Sequence, residues 1–146
     1  MLIRWIPAAE TDRPQLVRIT KPFEEDVRVW RSAPPDSAVY SNIPWSVVQH
    51  SPDGFECGYA GSGPADLALN ILNAFVPPRI HHVPELWGSE TEDDPLPMYR
   101  GVASRFASRW HQKFKCEFIA RMARSGGQIQ ATEIRDWIAR HRARFA

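Results

Sequence analysis

The residues best placed for chemistry gather in GYAGSGPADLALNIL (58–72), where Gly61, Ser62 and Gly63 lead into an apolar run. Backbone N–H groups at a glycine-rich helix start lack intrahelical partners and sit at the positive end of the helix dipole, so such a turn can hold a phosphate. The spacing argues against it. No G-x-x-x-x-G-K-[ST] is present, and G-S-G-P breaks G-x-G-x-x-G. Asp66 in the first turn would repel an anion. Gly61, Ser62 and Gly63 stand as ligand-binding candidates beside the plainer reading of a turn that delivers the chain into a buried helix.

Other reactive types are scattered. The histidines are His50, His81, His82, His111 and His141, without an H-E-x-x-H or C-x-x-C frame. Zinc needs three or four converging ligands, so they read as structural histidines. Ser62 lacks the G-x-S-x-G frame of a nucleophile elbow, and Cys57 reads as a core residue. The acids from Glu90 to Asp94 read as a solvated loop. No catalytic residue, metal set or cofactor emerges, and an enzyme built on the glycine turn ranks last among the functional readings.

Charge is more informative. Residues 1–99 carry seven basic and fourteen acidic side chains, and residues 100–146 carry eleven basic and three acidic, although the net charge is only +1. The basic candidates for binding a partner or nucleic acid are Arg105, Arg109, Lys113, Arg135 and Arg142. Their acidic counterparts are Glu92, Asp93 and Asp94. Two C-terminal helices joined by SGGQIQA resemble a helix-turn-helix, though the connection is longer than the usual three or four residues. The near-neutral balance also falls short of a typical nucleic-acid module. Alternatively, the basic helices dock on the acidic half. A protein partner is the third reading, because Trp and Arg anchor interfaces and the chain has six tryptophans.

The elements that must position these residues follow from periodicity. LIRWI (2–6), QLVRIT (15–20) and VRVWR (27–31) read as strands, and SAPPDSA (32–38) as an exposed loop because prolines lack donors. WSVVQH-SPDG-FECGY (45–59) reads as a β-hairpin around a type I turn. A helix follows from Gly63 or Pro64 to Val76, capped by Ser62 or Gly63. Leu67, Leu69, Ile71, Leu72 and Phe75 nearly surround it, leaving only the stripe Asp66, Asn70, Asn73. Residues 77–98 form an irregular bridge, either a lid or a connection with a short strand near 79–83. Apolar spacing from Tyr99 through Val102, Phe106, Trp110, Phe114 and Met122 predicts a helix over 99–124. A second helix runs from a Thr132 cap to Phe145. The predicted fold is α+β. A small antiparallel sheet from the N-terminal half packs on the buried helix 63–76, two C-terminal helices complete it, and residues 1–146 form one domain.

Length and composition fit a globular chain. Two cysteines without paired spacing read as buried or half-buried thiols of a reducing compartment. The short apolar stretch before Pro7 is too brief for a secretory signal, and no run reaches a membrane span. A cytoplasmic protein with no membrane partner is expected.

GYAGSGPADLALNIL (58–72), HQKFKCEFIARM (111–122) and EIRDWI (133–138) together resemble a bacterial, plasmid and phage family called domain of unknown function 6166, over roughly 54–138. GSGPADLAL is the most specific part, and Cys116 stands where that family has an aromatic residue. The resemblance supplies no catalytic residue. It implies a mobile-element setting, and with the charge layout it gives a first expectation: a non-catalytic protein that occupies a protein partner, such as a CRISPR-Cas host defence complex. A DNA- or RNA-binding accessory factor is the alternative.

Overall fold

The computed structural model describes residues 5–6, 15–16, 22–32, 38–79 and 92–145. The fold is α+β. Strands β1 (Trp5–Ile6) and β2 (Gln15–Leu16) pair antiparallel, with Trp5 opposite Leu16. The rest of the two strands expected at 2–6 and 15–20, residues 33–37 of the predicted loop, most of the strand read near 79–83, His81 and His82 lie outside the described residues.

Strand β3 (Val27–Arg31) has the bounds that its alternation predicts. Val27 and Val29 face the core, and Arg28 and Trp30 face out. It is the centre of a three-stranded antiparallel sheet in the order β4-β3-β7. Strand β4 is Val39–Ser41, and strand β7 is Gly126–Ile129. The sheet is therefore not built from the N-terminal half alone. SGGQIQA, expected to be an interhelical connection, supplies the strand that pairs Val27 with Ile129 and Trp30 with Gly126. Gly126 has φ +114, and a Cβ there would run into the Val29 carbonyl oxygen, so glycine is what lets β7 approach. This strand also removes the helix-turn-helix reading.

Helix α1 spans Ser62–Phe75 and ends just before Pro77-Pro78. It starts slightly earlier than predicted. Gly61 takes the N-cap position with no side-chain cap, and Pro64 falls within the first turn, where a missing N–H costs nothing. Leu67, Leu69, Ile71 and Leu72 are fully buried. So are Asp66 and Asn70, with Asn73 at 1% exposure, which makes the polar stripe part of the interior.

That stripe explains why the hairpin predicted at 45–59 does not form. Most backbone donors of its first arm, at 46, 47 and 49–51, go to side chains of α1 instead of to a facing strand. Asn70 Oδ1 accepts from Ser46 N–H at 2.8 Å and Val47 N–H at 3.1 Å, and the Asn70 amide donates back to the Val47 carbonyl at 2.9 Å. The Asp66 carboxylate accepts from the N–H groups of Gln49, His50 (3.0 Å) and Ser51 (2.8 Å). Val48 bridges to Arg100 and Phe55 to Val39, so the two flanks of the turn pair with different neighbours.

Residues 99–104 are not helical either. Strands β5 (Pro95–Pro97) and β6 (Val102–Ser104) form a short hairpin, turned at 98–101 by the bond from Met98 N–H to the Gly101 carbonyl (3.0 Å). Helix α2 (Arg105–Phe114) begins where Ser104 Oγ accepts the Ala107 N–H at 3.1 Å. A π-helical turn follows at Lys115–Ile119, closed by Ala120 N–H on the Lys115 carbonyl (2.8 Å). Helix α3 spans Ala131–Phe145. Its first N–H is served from a distance, not by Thr132: Asp26 Oδ1 accepts from Ala131 N–H at 2.7 Å. Phe106, Phe114, Ile134 and Trp137 are buried where α2 and α3 meet the core. No helix among the described residues is long and apolar enough to cross a membrane.

Candidate functional site

The glycines of the turn before α1 are explained by close packing. A Cβ on Gly63 would lie 2.7 Å from Glu56 Cβ, and one on Gly61 would strike the Tyr59 ring. Ser62 is exposed. The turn also sits beside an acid: Glu56 is joined to Arg31 at 2.8 Å. The hydrogen bond and charge of Arg31 hold the Glu56 carboxyl below the ordinary glutamate range against the opposing effect of burial. Arg31 further donates through Nε to the Arg124 carbonyl at 2.6 Å, tying β3 to the turn before β7. A carboxylate packed on Gly63, and Asp66 one turn into the helix, oppose an anion at Gly61, Ser62 and Gly63.

Acidic and basic candidates meet each other. Glu92, Asp93 and Asp94 are half-buried instead of solvated. Glu92 pairs with Arg142 of α3, Asp93 with Arg79 at 3.1 Å, and Asp94 with Arg105 at 3.9 Å. Burial raises the Glu92 carboxyl, partly offset by Arg142. The same segment caps α2, since the Arg105 and Phe106 N–H groups donate to the Asp94 and Glu92 carbonyls at 2.8 and 2.9 Å. Arg109 lies over the Trp110 ring at 5.5 Å, and Lys113 pairs with Glu117 at 3.8 Å. Arg135 is exposed on α3 and, with Arg142, borders an open cavity of about 580 Å³ floored by Phe75, Val76 and Ile138. Of the five basic candidates, Arg105 and Arg142 thus meet the acidic segment, Arg135 shares the cavity edge with Arg142, and Arg109 and Lys113 make contacts with Trp110 and Glu117.

Two features escaped residue spacing. His50 and His111, 61 positions apart, bring their Nε2 atoms to 2.9 Å. His111 is 7% exposed, and its Nδ1 lies 2.7 Å from the Ser108 carbonyl. Burial holds the His111 imidazole below its ordinary pKa, in favour of the neutral form. Among the described residues no group of three or more His, Cys, Asp or Glu converges as a metal set. Cys57 is buried, and burial raises its thiol pKa, whereas Cys116 is exposed, contrary to expectation.

The second feature is the outer face of the three-stranded sheet. Trp30 and Tyr40 are cross-strand partners, stacked with ring centroids 6.3 Å apart, and remain 46% and 50% exposed. Arg28 and Gln128, also directly opposite one another, are exposed beside them. The tryptophan count signals an aromatic surplus, but only strand register shows which aromatic rings escape the core.

Residues 26–82 match a family described as "Family of unknown function (DUF6166)". The match contains GSGPADLAL and runs from β3 through α1, so it begins earlier than the resemblance read at 54–138 and stops before α2. No curated protein and no solved structure matches the chain.

Proposed function

We propose that the chain is a non-catalytic binding protein that occupies a protein partner through the outer face of its three-stranded sheet. The observation that carries this reading is the stacked, half-exposed Trp30–Tyr40 pair beside Arg28. Trp, Tyr and Arg are the residue types that dominate interface energetics, and two rings already ordered by stacking lose little conformational freedom on binding. The partner surface that fits is an apolar patch edged by a carboxylate for Arg28. In the mobile-element setting that the resemblance implies, the partner is a component of a host defence complex.

The nucleic-acid reading is favoured only by the basic count of the C-terminal third. Engagement of Arg105 and Arg142 by Asp94 and Glu92, and a strand in place of the helix connection, leave it second. A phosphate-ligand enzyme at Gly61–Gly63 has least support, with Glu56 and Asp66 close by. The test is affinity capture from host lysate with the wild type and with a Trp30→Ala/Tyr40→Ala variant. The proposal expects a stoichiometric protein that the variant loses. Capture that instead disappears with nuclease treatment, or falls steeply with salt, would favour the alternative.

A further inference from the structure

We infer that His50 and His111 form a binding site for a divalent transition-metal ion of the zinc class, joining the 46–51 segment to α2. The Ser108 carbonyl can only accept, so the proton of neutral His111 resides on Nδ1 and its Nε2 lone pair faces His50. A backbone carbonyl holding Nδ1–H is the support that metal-ligating histidines characteristically have, because it fixes both tautomer and ring orientation. His50 arrives from the other side on a segment whose position does not depend on its own side chain: its N–H is held by the buried Asp66 carboxylate.

Distances exclude a linear site and leave a bent one, and the imidazole donors then favour the zinc class. Two imidazole nitrogens bound at about 2.0–2.1 Å with a tetrahedral angle stand roughly 3.3 Å apart. The observed separation is 2.9 Å. In the hydrogen-bonded pair His50 carries its proton on Nε2, so a few tenths of an ångström of opening, a turn of the exposed His50 ring and a shift of its proton to Nδ1 together admit tetrahedral zinc or cobalt(II). A linear two-nitrogen site with similar bonds would need about 4 Å, a much larger displacement of the buried His111. Two protein nitrogens are fewer than the three or four that a structural or catalytic zinc site has, so this is a weak, exchangeable site whose other positions on the exposed side of His50 are filled by water. Imidazole nitrogen suits these ions, while magnesium and calcium prefer oxygen.

The deciding experiment titrates the full chain with zinc chloride by calorimetry at mildly alkaline pH. In parallel, long-range ¹⁵N–¹H spectra of the imidazoles are recorded. One zinc per chain is expected, the His50 and His111 Nε2 resonances shifting together, and His50→Ala weakening binding by at least about tenfold. His50→Ala retains the backbone bond to Asp66, so its circular dichroism should match the wild type, and the wild-type spectra decide the matter even if the variant misfolds. Absence of zinc binding, binding unchanged in a folded His50→Ala, or shifts confined to other histidines would overturn the site and leave the pair as a hydrogen bond only.

Discussion

The inward stripe of α1 and the outward face of β3 and β4 use side chains in opposite ways. Asp66, Asn70 and Asn73 are polar yet buried, and each is consumed by backbone groups of neighbouring segments. Asn73 holds the β6 strand through the Ser104 N–H at 2.8 Å and the Val102 carbonyl at 3.2 Å. Trp30 and Tyr40 are aromatic yet half exposed, and their main ring contact is with each other. Folding explains the first set completely, because three side chains organise segments that would otherwise lack partners for their backbone. It explains the second set poorly, because large rings left in water contribute little to the core. A side chain that the fold does not need is the better candidate for function.

That contrast is open to direct attack. The largest effect is expected at Asp66: Asp66→Ala removes the acceptor of three N–H groups and should lower stability by about 3 kcal/mol, measured by urea unfolding. Asn70→Ala should cost about 2 kcal/mol by the same measurement, since it removes the acceptor of two N–H groups and the donor to the Val47 and Asp66 carbonyls. If either change is neutral, the stripe is not the organiser described above. The acid limb comes next. The folded-state pKa of Glu56 is lowered, so its pairing with Arg31 stabilises the fold above the unfolded glutamate pKa. That contribution is lost as pH falls through the folded value. Wild type should therefore lose stability through this acidic window, and Glu56→Gln, lower in stability at neutral pH, should show a shallower dependence there in thermal melts. The smallest effect on stability belongs to the sheet face. Trp30→Ala and Tyr40→Ala should each cost under about 1 kcal/mol, the range of a cross-strand pair.

How much of this was legible depended on whether the relevant partner was near in sequence. Strand β3 could be read because alternation over 27–31 is local. Helix α1 was legible because its apolar encirclement and the Pro77-Pro78 stop are local too. The hairpin at 45–59 failed because short apolar runs around SPDG show extended chain but not its partner, and the partners were side chains 15–24 positions away. Tyr99 and Val102 fitted helical spacing by coincidence, while the Ser104 cap marked the true start. Gly126-Gly127 looked like a helix stop and proved to be a strand thin enough to pack on β3. The charge asymmetry was visible, but which acid meets which base was not, since Glu92 and Arg142 are fifty residues apart.

The most direct test of the binding reading is the amount of partner protein retained by the wild type and by Trp30→Ala/Tyr40→Ala, with both shown to unfold at similar denaturant concentrations. Loss of a single stoichiometric partner from the variant is the predicted result. Equal retention by the two proteins, or no stoichiometric partner for either, would contradict it.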